Sequence, residues 1–342
     1  MKIKTVGSLL LLVATLASVG AAQSTPKEAL LALSKRDQTL AIVDPSSLKV
    51  LARIPVGNDP HEVIASADGK TAYVSNYGGG AYNTLAVIDL VGQKALPSID
   101  LGALRGPHGL TFVADKVWFT AEGAKAIGSY DPKTQKVDWI MGTGQNRTHM
   151  IFVTDDSKRM VTTNVSSGSV SIIEKSPPPR SAPPPGSPVP PPRDWDQTVV
   201  KVGNGSEGFD VSPDGKEIWV ANAQEGTISI IDSASKTVTE TLAASVRSAN
   251  RLKFTPDGRK VLVSGLRIAD LVVLDAATHK EIKRILVGHG AAGIQMQPDG
   301  ARAFVACSPD NYIVVIDLKS LEVAGRFEVG PNPDGLAWSV LR

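Results

Sequence analysis

Apolar and polar residues alternate with a period of two in short runs along almost the whole chain, the pattern of half-buried β-strands rather than helices. One kind of run ends in an acid and occurs seven times: Ile42-Val43-Asp44, Val87-Ile88-Asp89, Ser129-Tyr130-Asp131, Ile172-Ile173-Glu174, Ile230-Ile231-Asp232, Val273-Leu274-Asp275 and Val315-Ile316-Asp317. The acids are 45, 42, 43, 58, 43 and 42 residues apart. A second marker is a tight turn: Asp68-Gly69, Asp214-Gly215, Asp257-Gly258 and Asp299-Gly300, with Asp115-Lys116 and Asp156-Ser157 in the same place. Asp-Gly supplies the positive φ angles that a short hairpin requires. The third marker is an apolar strand after each turn, such as Thr71–Asn76 or Glu217–Asn222. Only Pro26 to Leu31 hints at a helix, and the surrounding period argues against one.

Each unit of about 42 residues therefore reads as four short strands. Strand A precedes the turn, strand B follows it, strand C ends in the acid, and strand D resembles Lys49–Val56. One such sheet cannot bury both its faces, so the units pack around an axis as propeller blades. The first unit starts at strand B (Ala29–Ser34) and the last stops after strand A (Asp334–Trp338). The expectation is an all-β, seven-bladed β-propeller of four-stranded antiparallel blades. N-terminal strands B, C and D pair with a C-terminal strand A, which closes the ring and leaves no free edge. A solenoid shares the period but does not explain these complementary ends.

The one long spacing has a visible cause. Residues 176–193 are rich in proline, which cannot donate to a sheet, so they read as an extended, polyproline-like loop inserted in the C–D hairpin of the third full blade. The loop is either a passive spacer or a docking site for a protein partner. At the N-terminus, Lys2 and Lys4 precede an apolar run from Leu9 to Val19 and the small residues Gly20, Ala21 and Ala22. Residues 1–22 read as a cleaved signal peptide, which predicts a secreted or periplasmic protein with residues 23–342 as a single propeller domain. No later segment is long and apolar enough to span a membrane.

Loss of residues 1–22 would leave a formally neutral chain, since the full chain has 36 Lys and Arg against 34 Asp and Glu and the segment holds Lys2 and Lys4. Without a basic stripe, nucleic acid is not an expected partner. Cys307 is the single cysteine, so there is no internal disulfide and no C-x-x-C-H for haem c; beside Ala303–Ala306 it reads as a buried small hydrophobe. No G-x-S-x-G elbow occurs, and the glycines of Gly203-Asn204-Gly205-Ser206-Glu207-Gly208 fall in a D–A turn without the strand-to-helix context of a dinucleotide fingerprint, so no nucleotide cofactor is expected.

The repeat resembles the YVTN-type, 40-residue-repeat family of seven-bladed propellers, with its YncE-like and lactonase-like members. Val56-Gly57-Asn58-Asp59-Pro60, Ser212-Pro213-Asp214-Gly215-Lys216 and Thr227-Ile228-Ser229-Ile230-Ile231-Asp232 carry the match. The resemblance implies fold more than function, because related propellers include lactonases, lyases, electron-transfer subunits, haem d1 domains and adhesins. It also implies a bacterial envelope.

Counting seven residues back from each turn Asp gives one column: His61, His108, His149, Glu207, Asn250, Ala292 and, by local match, Asp334. The column lies at the start of strand A, so these residues should ring one mouth of the tunnel. Three histidines with an open position suit a divalent transition metal, with Glu207 as a fourth ligand or general base. The bland alternative is a ring of polar side chains around ordered water. Asn250, Asp334, Arg147, Arg251, Tyr77 and Glu122 are further candidate ligand contacts on the face made by the D–A and B–C loops, and His289 is expected near the same mouth. Tyr73, Trp118, Val161, Trp219, Leu262 and Phe304 form an equivalent strand B column that reads as core.

The function these features predict is an exported scaffold binding a small molecule or protein at that face, with a metal site at the tunnel mouth. A metal-dependent hydrolase or lyase similar to propeller lactonases is the alternative, and an electron-transfer partner subunit is the third.

Overall fold

The computed structural model describes residues 24–177 and 194–342. The expected signal peptide and most of the proline-rich insertion lie outside these residues. The described residues form 28 strands, numbered β1–β28 in chain order, in seven antiparallel sheets of four. Six sheets use four consecutive strands. The seventh has the order β28-β1-β2-β3, built from Pro333–Val340, Glu28–Ser34, Thr39–Asp44 and Lys49–Pro55. Glu28 pairs with Val340 and Leu31 with Ala337, so the two ends of the chain close the ring as the sequence predicts. The protein is a seven-bladed β-propeller.

The recurrent markers have local reasons. The acid that ends strand C accepts hydrogen bonds from the turn it enters: Asp44 takes Ser46 N at 2.9 Å and Ser47 Oγ at 2.7 Å, and Asp317 takes Ser320 N at 2.7 Å. These are Asx turns, in which a short side chain replaces the backbone acceptor. Glu174, where the proline-rich segment interrupts the hairpin, instead pairs with Arg159 at 2.8 Å and Lys236 at 2.5 Å. The turn Asp works the same way, with Asp214 accepting Ser212 Oγ at 2.7 Å and Lys216 N at 3.1 Å.

The core lies between neighbouring blades. The strand B column is buried throughout: Trp219, Leu262 and Phe304 are fully inaccessible and Tyr73, Trp118 and Val161 nearly so. Cys307 is also fully buried, as expected. Around the axis stand the innermost strands: β4 (Pro60–Ala65), β8 (Pro107–Val113), β12 (Thr148–Val153), β16 (Ser206–Val211), β20 (Ala249–Phe254), β24 (Ala291–Met296) and β28. Several carry glycine at their third position. A Cβ on Gly109 would lie 2.6 Å from the carbonyl oxygen of His149, so the glycine lets adjacent inner strands draw together.

Candidate functional site

The tunnel mouth is assembled by one backbone contact repeated in every blade. The residue just before strand A takes a left-handed conformation in all seven, with φ of 49° at Asp59, 67° at Gly106, 54° at Arg147, 74° at Gly205, 52° at Ser248, 58° at Gly290 and 54° at Asn332. Its carbonyl accepts the N–H of the residue just after strand B. Examples are Lys35 to Asn332 at 3.0 Å, Tyr77 to Asp59 at 3.0 Å, Glu122 to Gly106 at 2.9 Å and Val165 to Arg147 at 2.9 Å. This clamp brings three columns together: the left-handed residue, the second residue of strand A, and the residue after strand B.

All seven residues predicted from the spacing occupy the second position of their inner strands and border one cavity of about 320 Å³. Arg147, Arg251 and Tyr77 border it too. Glu122 stands behind its wall, 6% exposed, and touches Tyr77, Arg147 and His149. His289 does not join them; its side chain is 76% exposed and turns outward to Asp310, at 3.3 Å. Larger hollows, of about 690 and 500 Å³, lie elsewhere, one against Arg247 and Arg267 and one against the turns at Asp214 and Asp257.

His149 is gripped from both sides. Its Nδ1 meets Glu122 Oε1, and its Nε2 donates to Glu207 Oε2 at 2.7 Å. Burial alone would lower its pKa, but Glu207 and Glu122 outweigh burial and raise it to about 9. Burial would likewise raise Glu207, yet the imidazolium and Arg147 hold it down to about 2. A carboxylate held that low is a poor general base, which weighs against the base role expected from sequence.

His108 sits beside this group in a contrasting state. Its ring centroid is 3.8 Å from that of His149 and 4.9 Å from that of His61. Burial first, then the neighbouring imidazolium of His149, push its pKa well below the ordinary value, so it is neutral. Its Nδ1 has no hydrogen-bond partner.

His61 belongs to a different cluster. Lys35 Nζ lies 2.5 Å from its Nε2, and Asp59 and Asp334 approach at 3.3 and 3.6 Å. Among the described residues, the atoms that could hold a metal within 4.8 Å of one another come from His108, Glu122 and His149, a group that does not include His61. Lys35, Asp59 and Glu62, the partner of Arg251, were not singled out by the spacing. Lys35, Tyr77 and Glu122 all follow strand B directly, so a second alignment at that position would have found Lys35.

The profile of a family described as YNCE-like beta-propeller matches residues 189–302, from the edge of the insertion through two whole blades into the next. The chain is a seven-bladed β-propeller of which this segment is similar to the YNCE-like family. A comparison with curated protein sequences finds no match. Among solved structures, the chain is similar to a functionally unknown protein from Desulfotomaculum acetoxidans, with TM-score 0.72, 14% identity, and coverage of 91% of this chain and 98% of that one. It is similar to a 6-phosphogluconolactonase candidate from Bacteroides fragilis, with TM-score 0.72 and 16% identity, covering 92% and 99%. It is also similar to hydrazine synthase of Kuenenia stuttgartiensis, with TM-score 0.64 and 16% identity, covering 81% and 89%. At these identities the likeness is one of fold.

Proposed function

We propose that this propeller is an exported binding protein that takes a small polar molecule into the mouth of its central tunnel. The observation that carries the reading is the convergence of all seven second-position residues on one cavity of about 320 Å³. That volume is at the small end of ligand sites. Its charged side chains are held by one another rather than by solvent, so little reorganises on binding. Arg147, 43% exposed, offers a guanidinium to an anionic group, while Asn250 and Asp334 suit hydroxyls. Export rests on the N-terminal segment, and the proline-rich insertion is a separate place for a protein partner.

The test is a thermal-shift screen of polyols, sugar acids, lactones and small carboxylates on wild type and on Ala292→Phe. Ala292 borders the cavity and its side chain takes no part in the charge network, so phenylalanine there obstructs the mouth. A ligand that raises the wild-type melting temperature and not that of the variant supports the reading. Shifts that persist in Ala292→Phe, or a panel without a shift, overturn it.

A metal-dependent hydrolase or lyase is the second reading. The observation that favours it is the grouping of His108, Glu122 and His149. It requires turnover that a chelator abolishes, and a chelator-insensitive rate would remove it.

A further inference from the structure

We infer that His108, Glu122 and His149 form a two-histidine, one-carboxylate site for a divalent transition metal in the wall of the tunnel mouth. The inference rests on reading that mouth as the binding site and adds a specific inorganic ligand to it.

The donor atoms lie within 4.8 Å of one another and all three residues are buried. His149 and Glu122 are each oriented by a further contact. His149 Nε2 donates to Glu207 Oε2 at 2.7 Å, the arrangement that fixes a metal-bound imidazole through its far nitrogen. This leaves Nδ1 turned toward Glu122 Oε1. The other oxygen of Glu122 is held by the Tyr77 hydroxyl at 2.5 Å and Arg147 Nε at 3.4 Å. His108 supplies what is otherwise a defect: a residue 2% exposed whose Nδ1 has no partner. Buried nitrogens are nearly always satisfied, and a cation between these side chains satisfies this one.

Charge points the same way. Around the mouth stand the carboxylates of Asp59, Glu62, Glu122, Glu207 and Asp334, against the permanent cations Lys35, Arg147 and Arg251. With the imidazoles neutral, as ligation requires, the carboxylates outnumber these cations by two, and the metal takes the place of the proton that His149 carries in its absence. His61 is not available as a third imidazole, because Lys35 Nζ occupies its Nε2. Two imidazoles, one carboxylate and a side open to the cavity suit Zn(II) or Fe(II).

The experiment uses the full-length mature protein, stripped with chelator and then supplied with Zn(II) alone, with retained metal counted after gel filtration. One Zn(II) per chain is expected in wild type and in His279→Ala, which removes an imidazole from the outer edge. His108→Ala and Glu122→Gln lose at least about tenfold in affinity, and Glu207→Gln about 10–100-fold. Metal-free melting curves show which variants fold. Wild-type affinity in folded Glu122→Gln, or folded wild type that retains no Zn(II), overturns the inference. Repeating the small-molecule screen on stripped protein separates the two readings. Ligand shifts without Zn(II) binding leave the binding function standing alone, and Zn(II) binding without ligand shifts leaves the metal site alone.

Discussion

Leu30, near the start of the first described strand, stands opposite Trp338 in the last, in antiparallel register. The pair joins residues from the two ends of the propeller and also puts Asp334 beside Lys35, 3.4 Å apart, on the rim of the cavity. Closure and site are therefore one structural event.

Deleting residues 333–342 removes the inner strand of the closing blade. It exposes an edge of β1 and withdraws Asp334 from the mouth. The expected result is loss of a cooperative thermal transition, followed by circular dichroism. A truncated chain that melts as sharply as wild type would refute the role given to closure.

Arg147 holds a left-handed conformation, φ 54°, at a position filled by glycine in three other blades. A bulky residue there costs roughly 1–2 kcal/mol of backbone strain. Its guanidinium lies 3.4 Å from Glu122 and 3.9 Å from Glu207, which gives the strain a reason. Arg147→Gly is predicted to be more stable than Arg147→Ala by about 1 kcal/mol in urea denaturation. The opposite order would mean the backbone there is not under strain.

Gly109 faces the carbonyl of His149 across the gap between two inner strands. Gly109→Val forces those strands apart and is predicted to destabilise by about 1–3 kcal/mol. Because the shift falls beside His149, ligand binding should weaken as well. A variant with unchanged urea midpoint would contradict the close-approach argument.

Cys307 is fully buried and its thiol is pushed up to about 12 by burial. Ellman's reagent at pH 8 should find no thiol in the folded protein and one per chain after denaturation. The raised folded value also fixes the sign of a pH effect. Its contribution is fully present below the unfolded value near 9 and falls away as pH rises toward 12. Rapid labelling of the native protein would refute this.

The architecture was legible because it is written in repeats. The acids ending strand C and the Asp turns recur for local hydrogen-bonding reasons, so they mark each blade even where other residues drift. The second-position column was legible for the same reason, since it keeps a constant distance from the turn. The residue after strand B was legible only in part: Tyr77 and Glu122 stand out in their loops, but Lys35 does not, because the three have nothing in common as side chains. What they share is a backbone N–H bonded to the left-handed residue of their blade. The choice between His61 and Glu122 as partner of the other two histidines was also invisible. It depends on Lys35 and Asp59, which reach His61 from the loops on either side. His289 precedes Gly290 in its loop and is tied outward by Asp310, so nearness in sequence to the column misled.

At the centre of the cavity wall, two adjacent imidazoles are held in opposite states by their neighbours. The direct measurement is the long-range proton–nitrogen spectrum of metal-free protein labelled in its histidines, assigned with His108→Ala and followed across pH. The prediction is that His149 carries protons on both nitrogens at neutral pH and loses one near pH 9, while His108 stays neutral well below pH 6.5. Two rings titrating together near pH 6.5 would contradict the placement of Glu122 and Glu207 against His149.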